Sequence, residues 1–428
     1  MTEQTKLQDQ PAHPDSAFSR DPGPWPSSLR ALRHRDFRVF ILGQIVSLSG
    51  SWMQSLAQSW LVYRLTHSTF LVGALGFCNH LPVLLLSPLG GIAADRHSRR
   101  TLVILAQGAF LLQAFTLAWL TLSGRVTVTH VLLLAAFFGI INAFEIPARQ
   151  ALYVHMVGQR DLSNAIALNS MTFNAARLLG PSVGGFFLAA YGEGVCFLIN
   201  AFTFFAVLAS LFAISPAEPA RQVSTSPLRH LRDGFLYGWR NRQVRILLAA
   251  TALVNLAGSP VIVLGPFFAE DIFHKGSEGF GFLTAALGLG AVIGTFVLAR
   301  QTETASMARI VLYSAATMGI GLIIFALSPS FLLSIAAIAL VGFSIFRQLA
   351  ATNTLIQTLI HDDYRGRIMS IYSMMVIGML PIGNLASGAA AAHIGARPTV
   401  FAGAMFALAA AAVWGSQVRR DRFRSSPA

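Results

Sequence analysis

Apolar stretches of about 20 residues recur along this 428-residue chain, separated by short polar gaps. A helix of that length crosses the roughly 30 Å hydrocarbon layer of a bilayer, so the pattern dictates an all-α, multi-pass membrane protein. The charged share is 11 %, against about 25 % in soluble domains. A net charge of +13 would suit nucleic acid. The charges lie in the gaps between apolar runs, however, where retention of basic loops on the cytosolic side accounts for them. No nucleic-acid partner is expected. Cys78 and Cys196 both fall inside apolar runs, which implies neither a disulfide framework nor a metal site.

Twelve spans follow, at 37–63, 70–94, 101–122, 128–148, 163–190 and 194–214, then 246–268, 279–299, 310–327, 331–350, 367–394 and 398–418. The expected organisation is a disordered tail (1–36), a first six-helix bundle (37–214), a linker (215–243), a second bundle (244–418) and a basic tail (419–428). Within the linker, Leu228, Leu231, Phe235 and Trp239 share a helical face beside Arg229, Arg232, Arg240 and Arg242. That is the pattern of an amphipathic helix lying on an anionic leaflet. With both tails on one side, 25 of the Lys and Arg residues fall on the side of the termini and four on the other. Both termini are therefore expected in the cytosol.

The halves repeat one another. Arg33, Arg35 and Arg38 enter span one as Arg240, Arg242 and Arg245 enter span seven, and from span four onward the offset is 203: Gly139 with Gly342, Gly180 with Gly383, Gly185 with Gly388. Two six-helix units in the same orientation are parallel repeats about an axis along the membrane normal.

Three motifs carry a family resemblance. After span two, Gly91, Asp95, Arg96, Arg99 and Arg100 resemble the loop signature of the major facilitator superfamily, with Ser98 where a glycine is usual. In span five, Gly180, Pro181, Gly184 and Gly185 resemble the core of the antiporter signature, with Ala167 and Ala176 replacing two glycines. The segments at 148–170 and 353–374 resemble the enterobactin-exporter-like branch, the transmembrane secretion effectors. The resemblance implies a bacterial cytoplasmic (inner) membrane carrier working by alternating access, with proton-coupled export of a siderophore-like or amphipathic small molecule. An importer or uniporter on the same fold, or a receptor or scaffold with a degenerate carrier fold, is the alternative. No enzyme chemistry, cofactor or metal is expected, and the chain is expected to act as a monomer.

Polar residues within the spans mark the expected cavity. Arg177 lies too deep to snorkel and calls for a polar cavity or a partner. Asn79, His80, Gln44, Gln54, Gln58 and Asn174 are the neutral groups set to line the same space. Gating is assigned to Gly91, to the charges after it, to Glu145 near the end of span four, and to Arg347 in span ten. The arginine that the superfamily carries inside its fourth helix is not found within 128–148.

Overall fold

The structure is a computed structural model that describes residues 26–215, 241–298, 301, 304–360 and 362–420. The linker helix expected at 228–242 lies almost wholly outside them, as do residues 1–25 and 421–428.

The first half consists of α1 (Arg35–Thr66), α2 (Thr69–Arg96), α3 (Arg99–Leu122), α4 (Val128–Tyr191) and α5 (Glu193–Ala213). The second consists of α6 (Arg242–Phe267), α7 (Gly276–Leu298), α8 (Thr304–Leu327), α9 (Phe331–Leu359), α10 (Asp362–Ile394) and α11 (Ala396–Arg420). Eleven helices among the described residues are long and apolar enough to cross a membrane. One of them, α4, has 64 residues, about 96 Å at 1.5 Å per residue and far more than a single crossing needs. It breaks at Gly158, where φ is 71° and ψ 171°, a backbone conformation open essentially to glycine alone. The two arms, 128–157 and 159–191, make it two crossings and bring the total to twelve.

Several boundaries differ from the sequence expectation; α9, like the first arm of α4, runs nine residues past its expected end. The first arm of α4 runs past 148 because Leu152, Tyr153, Met156 and Val157 are buried on one face; that apolar stripe holds the helix beyond the hydrophobic run. Residues 27–36, expected as tail, are ordered. A 3-10 helix spans Ser27–Arg33, Ala31 is fully buried, and its N–H donates to Asn164 Oδ1 at 2.8 Å. At the other end, α11 takes in Arg419 and Arg420.

The halves meet along two seams, α2 with α10 and the second arm of α4 with α7, which exchange under the repeat. Glycines set their closeness. A Cβ on Gly185 would stand 2.8 Å from the Cα of Gly281, and one on Gly388 2.6 Å from the carbonyl oxygen of Thr69. Backbones can touch at that range only where side chains are absent. The apolar core is divided unequally. On the face away from the termini, one continuous cluster joins Met53, Trp60 and Tyr63 of the first half to Phe268, Phe280 and Leu287 of the second. On the termini face each half keeps its own cluster, one around Phe37, Phe110 and Tyr153 and one around Leu247, Val311 and Ile356. The molecule is closed on one face and parted on the other.

Candidate functional site: the seam between the halves

Arg177 stands where the two halves meet. Its guanidinium carbon lies 5.1 Å from the ring centre of Trp52 on α1 and 4.2 Å from that of Phe346 on α9. One aromatic wall thus comes from each half, and the backbone of Arg177 is pressed against Gly288 of α7. Ring faces attract a cation, but they neutralise no charge. Among the described residues no carboxylate pairs with Arg177. Asn174, one turn earlier, bonds its own helix at the Ser170 carbonyl and leaves Oδ1 without a partner.

His80 belongs to the other seam. Gly73, Gly76 and Leu84 of α2 meet Gly388, Asn384 and Gly378 of α10, and His80 falls on the same helical stripe. Its Nδ1 donates to the Gly76 carbonyl at 2.9 Å. Arg177 and His80 therefore sit on separate seams, and no hydrogen bond joins them among the described residues. Asn79, one residue earlier, turns its backbone toward Gly139 inside the first half.

The span-one glutamines divide. The structure places Gln54 inside the first half rather than at the seam: its Nε2 donates to Gln113 Oε1 at 3.0 Å and its Oε1 accepts from Asn200 at 2.8 Å. Gln44 and Gln58 are buried, each with one amide atom unpartnered. The Gly-Pro motif is a packing surface, Gly180 and Gly184 against α1 and Gly185 against α7.

The gating cluster is split as well. Gly90, not Gly91, is the close-packing glycine: it abuts the Ala143 carbonyl, whereas a Cβ on Gly91 would meet nothing within 4 Å. Arg99 donates to His155, and Arg100 caps the last carbonyls of α5 at Leu211 and Phe212, at 3.0 and 3.4 Å. Those two arginines are held within the first half. Asp95 makes no ion pair or hydrogen bond among the described residues and borders the parted face with the exposed Arg96.

Glu145 lies in no gap between the halves. It is 3 % exposed and pairs with Arg149 at 2.7 Å, with Gln107 donating to it at 3.3 Å. Arg149 also donates to Tyr153 at 2.9 Å, whose hydroxyl donates to Asn169 at 2.6 Å. An arginine does therefore sit inside the fourth helix, one residue beyond the expected end. Its spacing of four from Glu145 was the available signal. Arg347 lies over its own helix's Phe343, at 5.4 Å.

Sequence reasoning missed a second charged cluster. Asp161, just past the Gly158 break, is 1 % exposed and gathers Arg30, Arg33 and His34 at 2.7, 2.7 and 2.8 Å. Burial works to raise its pKa, but the His34 hydrogen bond and the two guanidinium groups outweigh burial and hold the carboxyl below its ordinary value.

Twelve crossings in two parallel halves, a closed face, a parted face and, between them, a cation with no carboxylate partner among the described residues are the architecture of a membrane transporter. The chain belongs to the transmembrane secretion effector family, whose model matches residues 26–425. It is 29 % identical over 360 residues to the staphyloferrin A transporter of Staphylococcus aureus, covering 81 % of this chain and 87 % of that one. It is 26 % identical over 352 residues to the enterobactin exporter EntS of Shigella flexneri, covering 82 % and 83 %. Among solved structures, an inward-facing bacterial homologue of the human lysosomal transporter Spinster matches with a TM-score of 0.70 at 16 % identity, covering 92 % of this chain and 99 % of that one. An inward-facing bacterial homologue of the iron transporter ferroportin matches with a TM-score of 0.66 at 18 % identity, covering 89 % and 98 %.

Proposed function

We propose that this protein exports an anionic, siderophore-like small molecule across the bacterial cytoplasmic membrane in exchange for protons, by alternating access. The carrying observation is Arg177, a cation at the junction of the halves with aromatic walls from both and no carboxylate paired with it among the described residues. A ligand carboxylate or other anionic group would complete that site through charge-assisted hydrogen bonds. The two relatives named for siderophore transport agree with this substrate class.

The basic residues concentrated on the termini face favour a cytosolic position for that face, and on this reading the state described is open to the cytosol and closed outward. In the alternate state the cytosolic ends would meet. Gly91, with open space where a Cβ would stand, and Asp95, with no polar partner among the described residues, are the groups proposed to close that gap, Asp95 as a latch against the second half. The carrier is proposed to work as a monomer.

Inverted vesicles with an imposed pH gradient, screened over iron-free siderophores, should accumulate substrate and lose accumulation when the gradient is collapsed. Uptake confined to right-side-out vesicles would overturn export in favour of import.

A further inference from the structure

The closed face is fastened by a pair that no sequence motif marks. Among the described residues, two hydrogen bonds cross between the halves, both at this face: Thr69 Oγ1 to the Gly388 carbonyl at 3.3 Å, and Tyr63 to Asp271 Oδ2. The second joins unlike environments. Tyr63 is 3 % exposed, packed edge-on against Phe267 at 6.2 Å, with Trp60 stacked on Phe280 at 6.3 Å one turn below. Asp271 is exposed, on a π-helical turn, Phe268–Ile272, at the end of α6. Such turns are rare and recur at functional sites.

We propose that Tyr63 and Asp271 are the outer gate, and that a proton taken up by Asp271 from the outer face releases it. The phenol is buried and needs an acceptor, and the carboxylate meets that need with a charge-assisted bond. Protonation removes the charge from the acceptor and weakens the bond that must part before the cavity opens outward. The side that supplies protons thereby favours the conformation that discharges substrate to it, which is the order an antiporter requires. Other ionisable groups crowd this rim: His67, which meets the Tyr63 ring, Glu270 on the turn itself, His274 and Lys275 just after it, Glu278 at the start of α7, and Arg64, paired with Glu193 at 2.7 Å. The inference rests on the exporter reading for its direction but not for its existence.

The test uses the full chain in nanodiscs, with Cys78→Ser and Cys196→Ser, and spin labels at Ser123→Cys and Leu332→Cys, exposed positions on the outer face of the two halves. Distances are measured at about pH 7.5 and about pH 3.5, a range that brackets an ordinary aspartate's pKa of about 3.9. The unmodified gate should show a long-distance population that grows in acid. Asp271→Asn, which mimics the protonated acid, should raise that population about tenfold at the higher pH and remove the response. Tyr63→Phe should raise it similarly, and His67→Gln should keep the acid response. A closed distribution in Asp271→Asn, or an acid response that survives it or disappears in His67→Gln, would overturn the proposal. If these distances behave as expected while inverted vesicles accumulate nothing, the exporter reading fails and the gate stands.

Discussion

Arg149 Nε stands 2.7 Å from Glu145 Oε1, one helical turn away, with Glu145 buried and Arg149 12 % exposed, while the repeat-related positions hold Gln348 and Thr352. In the second half that site is uncharged: Gln348 is 1 % exposed with neither amide atom partnered, and Thr352 Oγ1 is likewise alone. The ion pair is thus a property of the first half only. Removing one member of a buried pair leaves the other charge uncompensated, at a cost of about 3–5 kcal/mol. Glu145→Gln should accordingly lower the thermal unfolding midpoint markedly in detergent. Glu145→Gln combined with Arg149→Met should recover most of the loss. Equal losses in the single and double variants would show that the pair is not coupled.

Arg177 makes a separate forecast, about affinity and not folding. Its guanidinium stacks between Trp52 and Phe346, a geometry that the compact ammonium of lysine does not reproduce. Arg177→Lys should weaken substrate binding while preserving the pH optimum. Arg177→Ala should weaken it by about tenfold or more, the worth of a charge-assisted bond. Binding is read by substrate-induced quenching of tryptophan fluorescence or by calorimetry. Unchanged affinity in both variants would remove Arg177 from the substrate site.

The crossings and the repeat were legible because hydrophobic run length and glycine spacing are local, one-dimensional signals. The seams were not. Gly90 and Gly91 are neighbours in sequence, and only the rotation of α2 decides that the first meets Ala143 while the second faces open space. Gln54 reads as a cavity residue from its depth alone; Gln113 and Asn200, 59 and 146 residues away, draw it into the first half. Asp161 and the basic residues before α1 look like ordinary loop charges because their partnership spans 127 residues between His34 and Asp161. Depth and charge are written along the chain, but the direction of a side chain around its helix is set by partners far away.

Asp95 should distinguish the two conformational states. It is unpaired among the described residues, so Asp95→Asn should leave the thermal stability of this state unchanged, within the about 0.5 kcal/mol typical of surface substitutions. If Asp95 latches the opposite state, the same variant should slow turnover severalfold while expression is maintained. Transport rates and unfolding midpoints measured on one preparation check both halves of the statement. Normal turnover would remove the latch.

Asp161 offers a test by pH. Its carboxyl is held below the ordinary value by His34, Arg33 and Arg30 against the cost of burial, so its contribution is complete above the unfolded carboxylate pKa of about 3.9 and is lost as pH falls through the lower folded value. The N-terminal segment should stay fastened at neutral pH and be released only in strong acid. Asp161→Asn should release it already at neutral pH, because two guanidinium groups lose the charge that gathers them. Limited trypsin digestion reads this directly: cleavage after Arg30 and Arg33 should be slow in the unmodified protein and fast in Asp161→Asn, with the remaining helices intact. Equal cleavage rates would mean that the buried Ala31 and its bond to Asn164 hold the segment without the charges.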